Sequence, residues 1–386
     1  MAAALLSAGA FGVAPARAGS AGWSVVTSAN AGTGTNELND VAVISASDAW
    51  AVGAYEVTPN GFQRTLAEHW NGIAWSVVPS QSPSTSDNSL HAVAAVSASD
   101  VWAVGDFDDP ATAQYQALIE HWNGTVWAVV PGPHFPHGSG LFGVSAVTND
   151  DIWAVGYFLT SPFGTQPLVE HWNGITWTVV PSPTSMRGSN ALVKVTAISG
   201  HDAWAVGYDV NAEGIYQTLI EHWNGSTWTV VHSPHFGPGG NYLSGVTYVS
   251  ARNVWAVGYY NPTAMSITVQ TLIEHWNGRS WSIVTNPKVG AGNSAFTGVA
   301  AVSARSAWVV GITFASGPGG VAKPLIEHWN GRNWSVKSSP GIGRGGHYLD
   351  GVADGRGTSD IWTVGAAYPS GTSAERSGQT LIEHCC

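Results

Sequence analysis

The twenty tryptophans of this 386-residue chain fall into three columns of one repeating pattern, with none left over. A chain so patterned folds as copies of one small unit. Trp50, Trp102, Trp153, Trp204, Trp255, Trp308 and Trp362 lie in D-x-W-A-V-G-like segments. Trp70, Trp122, Trp172, Trp223, Trp276 and Trp329 end L-I-E-H-W-like runs and precede Asn-Gly. Trp23, Trp75, Trp127, Trp177, Trp228, Trp281 and Trp334 open W-S-V-V-like runs. Between successive glutamates of the E-H pairs (Glu68, Glu120, Glu170, Glu221, Glu274, Glu327, Glu383) the period is 50 to 56 residues, a spacing that belongs to solenoids and propellers.

Each repeat holds four short runs rich in β-branched and aromatic residues, separated by Gly, Pro, Ser and Asn. That pattern predicts four strands, and the Asn-Gly between the third and fourth predicts a hairpin. No helical period appears beyond residues 1–18. The last repeat stops at Glu383-His384-Cys385-Cys386 without a fourth strand, while Trp23-Ser24-Val25-Val26 is a fourth strand with nothing before it. The expected fold is therefore all-β: a seven-bladed β-propeller with four antiparallel strands per blade, closed by the N-terminal strand pairing with the last blade. Such closure leaves no sheet edge open at the junction. Residues 19–386 form this single domain of seven repeats. Residues 1–18, apolar and ending Ala16-Arg17-Ala18, read as a signal peptide, which predicts a secreted or cell-envelope protein. The apolar run is too short to span a bilayer, so no membrane insertion is expected.

Charge narrows the partners. Only 10% of residues are charged, against about 25% in an average domain, and 14 Lys and Arg face 25 Asp and Glu with no basic stripe. Phosphate neutralisation needs such a stripe, so nucleic acid is excluded. The only cysteines, Cys385 and Cys386, have Cα atoms about 3.8 Å apart, nearer than the roughly 4.4 Å at which disulfides begin. They are expected to be an incidental tail or to pair between molecules, not to staple the fold.

The Glu-His pairs suggest acid-base chemistry, but adjacent residues on a strand point to opposite faces, so neither is the other's partner. The expectation is a Glu from one blade meeting a His from the next in a buried pair that holds the blades in register. Because this column is equivalent in all repeats, function is expected where repeats differ. They differ most in the loop after W-A-V-G and in the loop between blades, which open on the same face of the ring. An aromatic follows the strand-ending Gly in every blade: Tyr55, Phe107, Tyr157, Tyr208, Tyr259, Phe314 and Tyr368. Flat rings there suit stacking on sugars or peptide side chains, and equally suit capping the core. His134 with His137, and His232 with His235, bracket Phe-Pro and Ser-Pro in two inter-blade loops and are further ligand-binding candidates. Neither pair has a third ligand beside it, so no metal site is assigned. Asp106, Asp108 and Asp109 read as a solvated acidic turn, since a calcium loop would add a Gly and a terminal Glu. No nucleophile elbow, P-loop or dinucleotide fingerprint occurs. Neither a catalytic residue nor a cofactor is assigned.

The segments L-I-E-H-W-N-G and D-V-W-A-V-G resemble the repeats of largely uncharacterised secreted bacterial propeller proteins, broadly of the kelch and galactose-oxidase-like class. The resemblance spans Gly22 to Cys386 and implies fold more than function. It departs from kelch blades in having one Gly, not two, after the second strand, and no cysteine lies where the galactose-oxidase crosslink would need one. The expected function is a monomeric, non-catalytic binding or scaffold propeller that takes a carbohydrate or a cell-surface protein at its loop-rich face. The alternative is a glycan-active hydrolase or lyase, which requires ionisable groups from different blades to converge in the funnel.

Overall fold

The computed structural model describes residues 22–386 apart from 162–163, 184–188, 265, 291, 315–319, 343–344, 356–359 and 369–376. The signal-peptide segment 1–18 lies outside the described residues. Twenty-eight strands form seven four-stranded antiparallel sheets. The first sheet runs from the innermost strand Asn36–Ser45 through Asp48–Glu56 and Gln63–Trp70 to the outermost Trp75–Val77. The seventh is composite: His347–Asp354, Ile361–Ala367 and Gln379–Cys385 are completed by Ser24–Val26, with Ser24 opposite His384, Val25 opposite Glu383 and Val26 opposite Ile382. Each innermost strand packs against the next around the circle, and the first packs against the last. The chain is a closed seven-bladed propeller, as the strand count predicts.

Tryptophan holds neighbouring blades together. Trp50, buried in blade 1, receives Trp122 at 4.8 Å and the edge of Trp127 at 5.2 Å, both from blade 2. The same three-ring cluster recurs around Trp102, Trp153, Trp204, Trp255 and, across the closure, Trp362 with Trp70 and Trp75. Edge-to-face pairs of this kind add about 0.5–1.5 kcal/mol each beyond their buried area. The second-column indoles are half-exposed because each N–H donates to a carbonyl in its own blade's first turn, as Trp70 does to Ala46 at 3.1 Å.

The seventh interface differs. Trp308 meets the edge of Trp23 at 5.3 Å, and the buried Cys385 occupies the second-column position beside it. Cys385 and Cys386 are joined to each other in a disulfide, which corrects the expectation of a loose tail or an intermolecular pair. The bridge closes a ring of adjacent residues only, so it removes no long loop from the unfolded chain.

The Glu-His expectation also needs correction. Each histidine of the column stacks on the first-column tryptophan of its own blade, for example His222 on Trp204 at 4.2 Å. Its outer nitrogen bonds the residue that opens the same blade's second strand: Asp48, Asp100, Asp151 and Asp202 at 2.8–2.9 Å, Asn253 at 2.9 Å and Ser306 at 3.1 Å. The glutamates are fully buried on the other face of the strand, and among the described residues four of them bond across a blade interface to a side chain in the linker of the preceding blade. Ser182 and Ser233 donate to Glu221 and Glu274 at 2.7–2.9 Å, Asn286 to Glu327 at 3.1 Å and Ser339 to Glu383 at 2.6 Å.

One glycine per blade shapes the channel. A Cβ on Gly53, Gly105, Gly156, Gly207, Gly258, Gly311 or Gly365 would lie 1.9–2.1 Å from a carbonyl oxygen of the innermost strand. This close approach accompanies a β-bulge in every innermost strand, leaving Asn39, His91, Phe142, Val193, Ser244, Thr297 and Asp350 as the extra residues. Bulges re-aim side chains, and here they turn seven different residues toward the ring's centre.

Two outcomes test this construction. Trp204→Ala should cost about 3–5 kcal/mol in denaturant unfolding, the usual range for emptying a large buried aromatic site. Deletion of residues 19–27 should destabilise the ring as one cooperative unit, and a melt unchanged by the deletion would count against closure.

Candidate functional site

The two variable loop sets open on one face, beside the starts of the innermost strands. The backbone N–H of Gln63 donates to Asp87 at 2.8 Å, and Arg64 donates to Ser84 and Ser86 carbonyls at 2.8–3.1 Å. From this face a funnel descends into the channel. Its upper part is a hollow of about 370 Å³ lined by Glu37, Asn39, His91, Asp106, Phe142 and Tyr157 among others. It continues past Asn39, His91 and Phe142 into a second hollow of about 300 Å³ reaching Tyr242, Ser244, Thr297 and Asp350. The floor is an ion pair across the channel, Lys194 Nζ to Asp40 Oδ2 at 2.6 Å, joining blade 4 to blade 1. A separate hollow lies against the same pair, lined by Asp40, Lys194, Val352 and Asp354.

The funnel wall is uneven. On one side Tyr242 stacks between Tyr208 and Tyr259, with ring centres 5.0 Å apart in both pairs, and Phe142 stacks on Tyr157 at 5.4 Å. Small residues make room for these rings: Tyr157 lies opposite Gly140, where a Cβ would come within 2.9 Å of the ring, and Tyr208 lies opposite Ala191. The other side is acidic. Tyr348 donates to Glu37 at 3.2 Å, and His91 bonds Asp106 at 3.1 Å. Burial raises the Glu37 carboxyl above its ordinary value, with the hydrogen bond from Tyr348 opposing. Burial pushes Asp350 up to about 8, and the nearby Glu37 charge adds to it. The Tyr348 hydroxyl is pushed strongly upward by burial and by these acids. Bulge side chains also tie blades together: Asn39, Ser244 and Thr297 donate to the next blade's Leu90, Phe296 and Leu349 carbonyls at 2.6–2.7 Å.

The seven aromatic candidates do not form one ring. Tyr157, Tyr208 and Tyr259 follow the glycine by one residue and join the funnel wall. Tyr55 and Phe107 follow it by two, point to the opposite face, and pack on hydrophobic clusters between blades. Phe314 is 37% exposed at its strand end. Tyr368 stands beside Tyr348, with ring centres 6.4 Å apart. His134, His137, His232 and His235 are all exposed on the inter-blade loops. Among the described residues, no group of three or more His, Cys, Asp or Glu is placed to hold a metal ion. Asp106 faces His91, while Asp109 caps its own turn through Ala111 and Thr112. The residues that sequence reasoning missed are Glu37, Asn39, His91, Phe142, Tyr242, Tyr348 and Asp350. All of them flank the repeated leucine of the innermost strand, at Leu38, Leu90, Leu141, Leu243 and Leu349.

Among solved structures, the chain is similar to YCF48 bound to a D1 peptide, at 14% identity and a TM-score of 0.56, over 99% of this chain and 100% of that one. It is similar to a PL25 ulvan lyase bound to a GlcA-Rha3S saccharide, at 10% identity and 0.55, over 91% and 94%. A GH74 xyloglucanase from Xanthomonas campestris matches at 14% identity and 0.54, over 93% of this chain and 55% of that one. At these identities the likeness is one of fold. No family model and no curated protein matches the chain.

The buried glutamate column gives a pH signature. Burial raises Glu68, Glu120, Glu170 and Glu221 to about 8, and Glu274 and Glu327 to about 7, from an ordinary value of 4.5. The folded state therefore keeps protons that the unfolded chain has released, and this contribution to stability is lost as pH rises toward 8. Burial lowers His275, His328, His347 and His384 below 6.5, which acts the opposite way but only below about that pH. Between about pH 7 and 8 the carboxyls dominate. The urea midpoint should fall across that interval, and Glu120→Gln should lessen the slope; a flat profile would contradict the protonated column.

Proposed function

We propose that this propeller binds a saccharide end-on or edge-on in the funnel of its loop-rich face, and that it is exported to do so. The observation that carries the reading is the pairing of two unlike walls in one concave site. Stacked, half-buried aromatic rings face carboxyl, amide and hydroxyl groups across hollows of 300–370 Å³. Pyranose rings present apolar C–H faces and a girdle of hydroxyls, and such walls satisfy both at once. Aromatic and polar groups lie on a rigid ring, which limits the ordering cost of binding. The apolar segment 1–18 motivates export, and the repeat motif motivates kinship with the kelch and galactose-oxidase-like propellers.

A second reading, a glycan-active hydrolase or lyase, is favoured by one observation: Glu37, His91, Asp106, Tyr348 and Asp350 converge from three blades. Two features weigh toward binding. The Tyr348 hydroxyl is shifted upward, away from the easy ionisation a nucleophile or base needs, and Glu37 is already occupied as its acceptor.

A glycan array followed by calorimetry tests the proposal. Phe142→Ala and Tyr242→Ala should each weaken the best hit at least tenfold, or about 1.4 kcal/mol, with the fold intact by circular dichroism. Release of new reducing ends or unsaturated sugars from a polysaccharide panel, abolished by Glu37→Gln, would favour the enzyme. Binding only to a protein from the cell envelope would replace the saccharide.

A further inference from the structure

We infer that the saccharide accepted by this funnel carries a protonated amine, an amino sugar and not an acidic or neutral one. The inference rests on the saccharide reading above and names its substrate class.

The argument begins with Asp350. It occupies the bulge position of blade 7 and lines the deeper hollow with Asn39, His91, Tyr242 and Thr297. Asn39, Ser244 and Thr297 use the same position to bond a neighbouring carbonyl. Among the described residues, the Asp350 side chain has no hydrogen-bond partner. It is a carboxyl aimed into a cavity with nothing assigned to it, and an acid so placed holds either a proton or a cation.

The surrounding groups supply no uncommitted cation. Glu37 from blade 1 is close enough to raise Asp350 further, and Glu56 acts on Glu37 in the same direction. The Lys194 ammonium lines the same hollow but is paired with Asp40 across the channel, and His91 bonds Asp106. Tyr348 brings a neutral hydroxyl, donated to Glu37. An ammonium entering from the mouth would meet two carboxyls, Glu37 and Asp350, in the contiguous hollows they line with Asn39, His91 and Phe142, and a carboxyl taken from water gains most from such a partner. A uronate would meet like charge.

Entry of the cation also moves a proton. With burial and Glu37 holding its carboxyl at about 8, Asp350 is mostly protonated at pH 7. Beside an ammonium it ionises, and the proton passes to solvent, with no covalent bond in the ligand made or broken.

Isothermal calorimetry on the full chain at pH 7 reads both effects. The probes are the β-1,4-linked tetramers of glucosamine and N-acetylglucosamine, a galacturonate trimer, and a lysine-containing pentapeptide. Running each in two buffers of different ionisation enthalpy counts protons. The glucosamine tetramer should bind at least tenfold more tightly than its acetylated counterpart, with net proton release, and the galacturonate should not bind. Asp350→Asn should abolish the proton release and the preference for the glucosamine tetramer; Glu37→Gln, which keeps an acceptor for Tyr348, should reduce the preference. Equal affinities for the two tetramers without proton release would overturn the amine and leave the saccharide reading standing. A pentapeptide that binds as tightly as glucosamine would overturn the sugar. Silence from every oligosaccharide, here and on the array, would overturn the saccharide reading and this inference with it.

Discussion

The contact on which the structure depends is the edge of one tryptophan driven into the face of another across a blade interface. A single four-stranded blade has two broad faces and cannot bury both alone. Trp204 buries one of them by accepting Trp276 and Trp281 from blade 5. Its own orientation is fixed from behind by His222, which Asp202 holds in place. The histidine column thus acts inside each blade and the tryptophan columns act between blades. A ring of seven such contacts stays together only if the seventh is made, which is why Trp23 must arrive at Trp308 from the other end of the chain.

Much of this architecture is legible because it is repeated. Repetition gives the strand count, the columns and the closure, since each rests on a pattern of period two or of about fifty residues. The partners of Glu and His were not legible from the pair itself: alternation along a strand separates their faces but does not say what each face meets. A readable signal did exist for His, in the polar residue two positions before each first-column tryptophan, such as Asp48, Asn253 or Ser306. The glutamates' partners were recorded more faintly, in a single Ser or Asn of the linker. At Gly132 that residue is absent and Glu170 has no partner among the described residues.

The candidate site was less legible for a physical reason. Variation draws attention to loops, where the chain is free to change, yet here the most consequential variation lies inside strands. His91, Phe142 and Asp350 hide beside a leucine found in six of the seven blades, with Phe296 in the other, because the bulge turns them away from the core that keeps this position apolar. The same pleat splits the aromatic candidates: one residue after the glycine places Tyr208 in the funnel, and two residues place Tyr55 in the hydrophobic interior. In a protein with so few charges, each carboxyl removed from water is conspicuous. Glu37 and Asp350 are two that meet a cavity and whose carboxyls burial raises.

The bridge between Asp40 and Lys194 gives this geometry a last consequence. It runs as a chord across the circle, from blade 1 to blade 4, and links residues 154 positions apart. A ring without a chord is a pore, open to a thread at both ends. With the chord in place the funnel has a floor, and the space along the axis is divided into the hollow above the pair and a separate one against it.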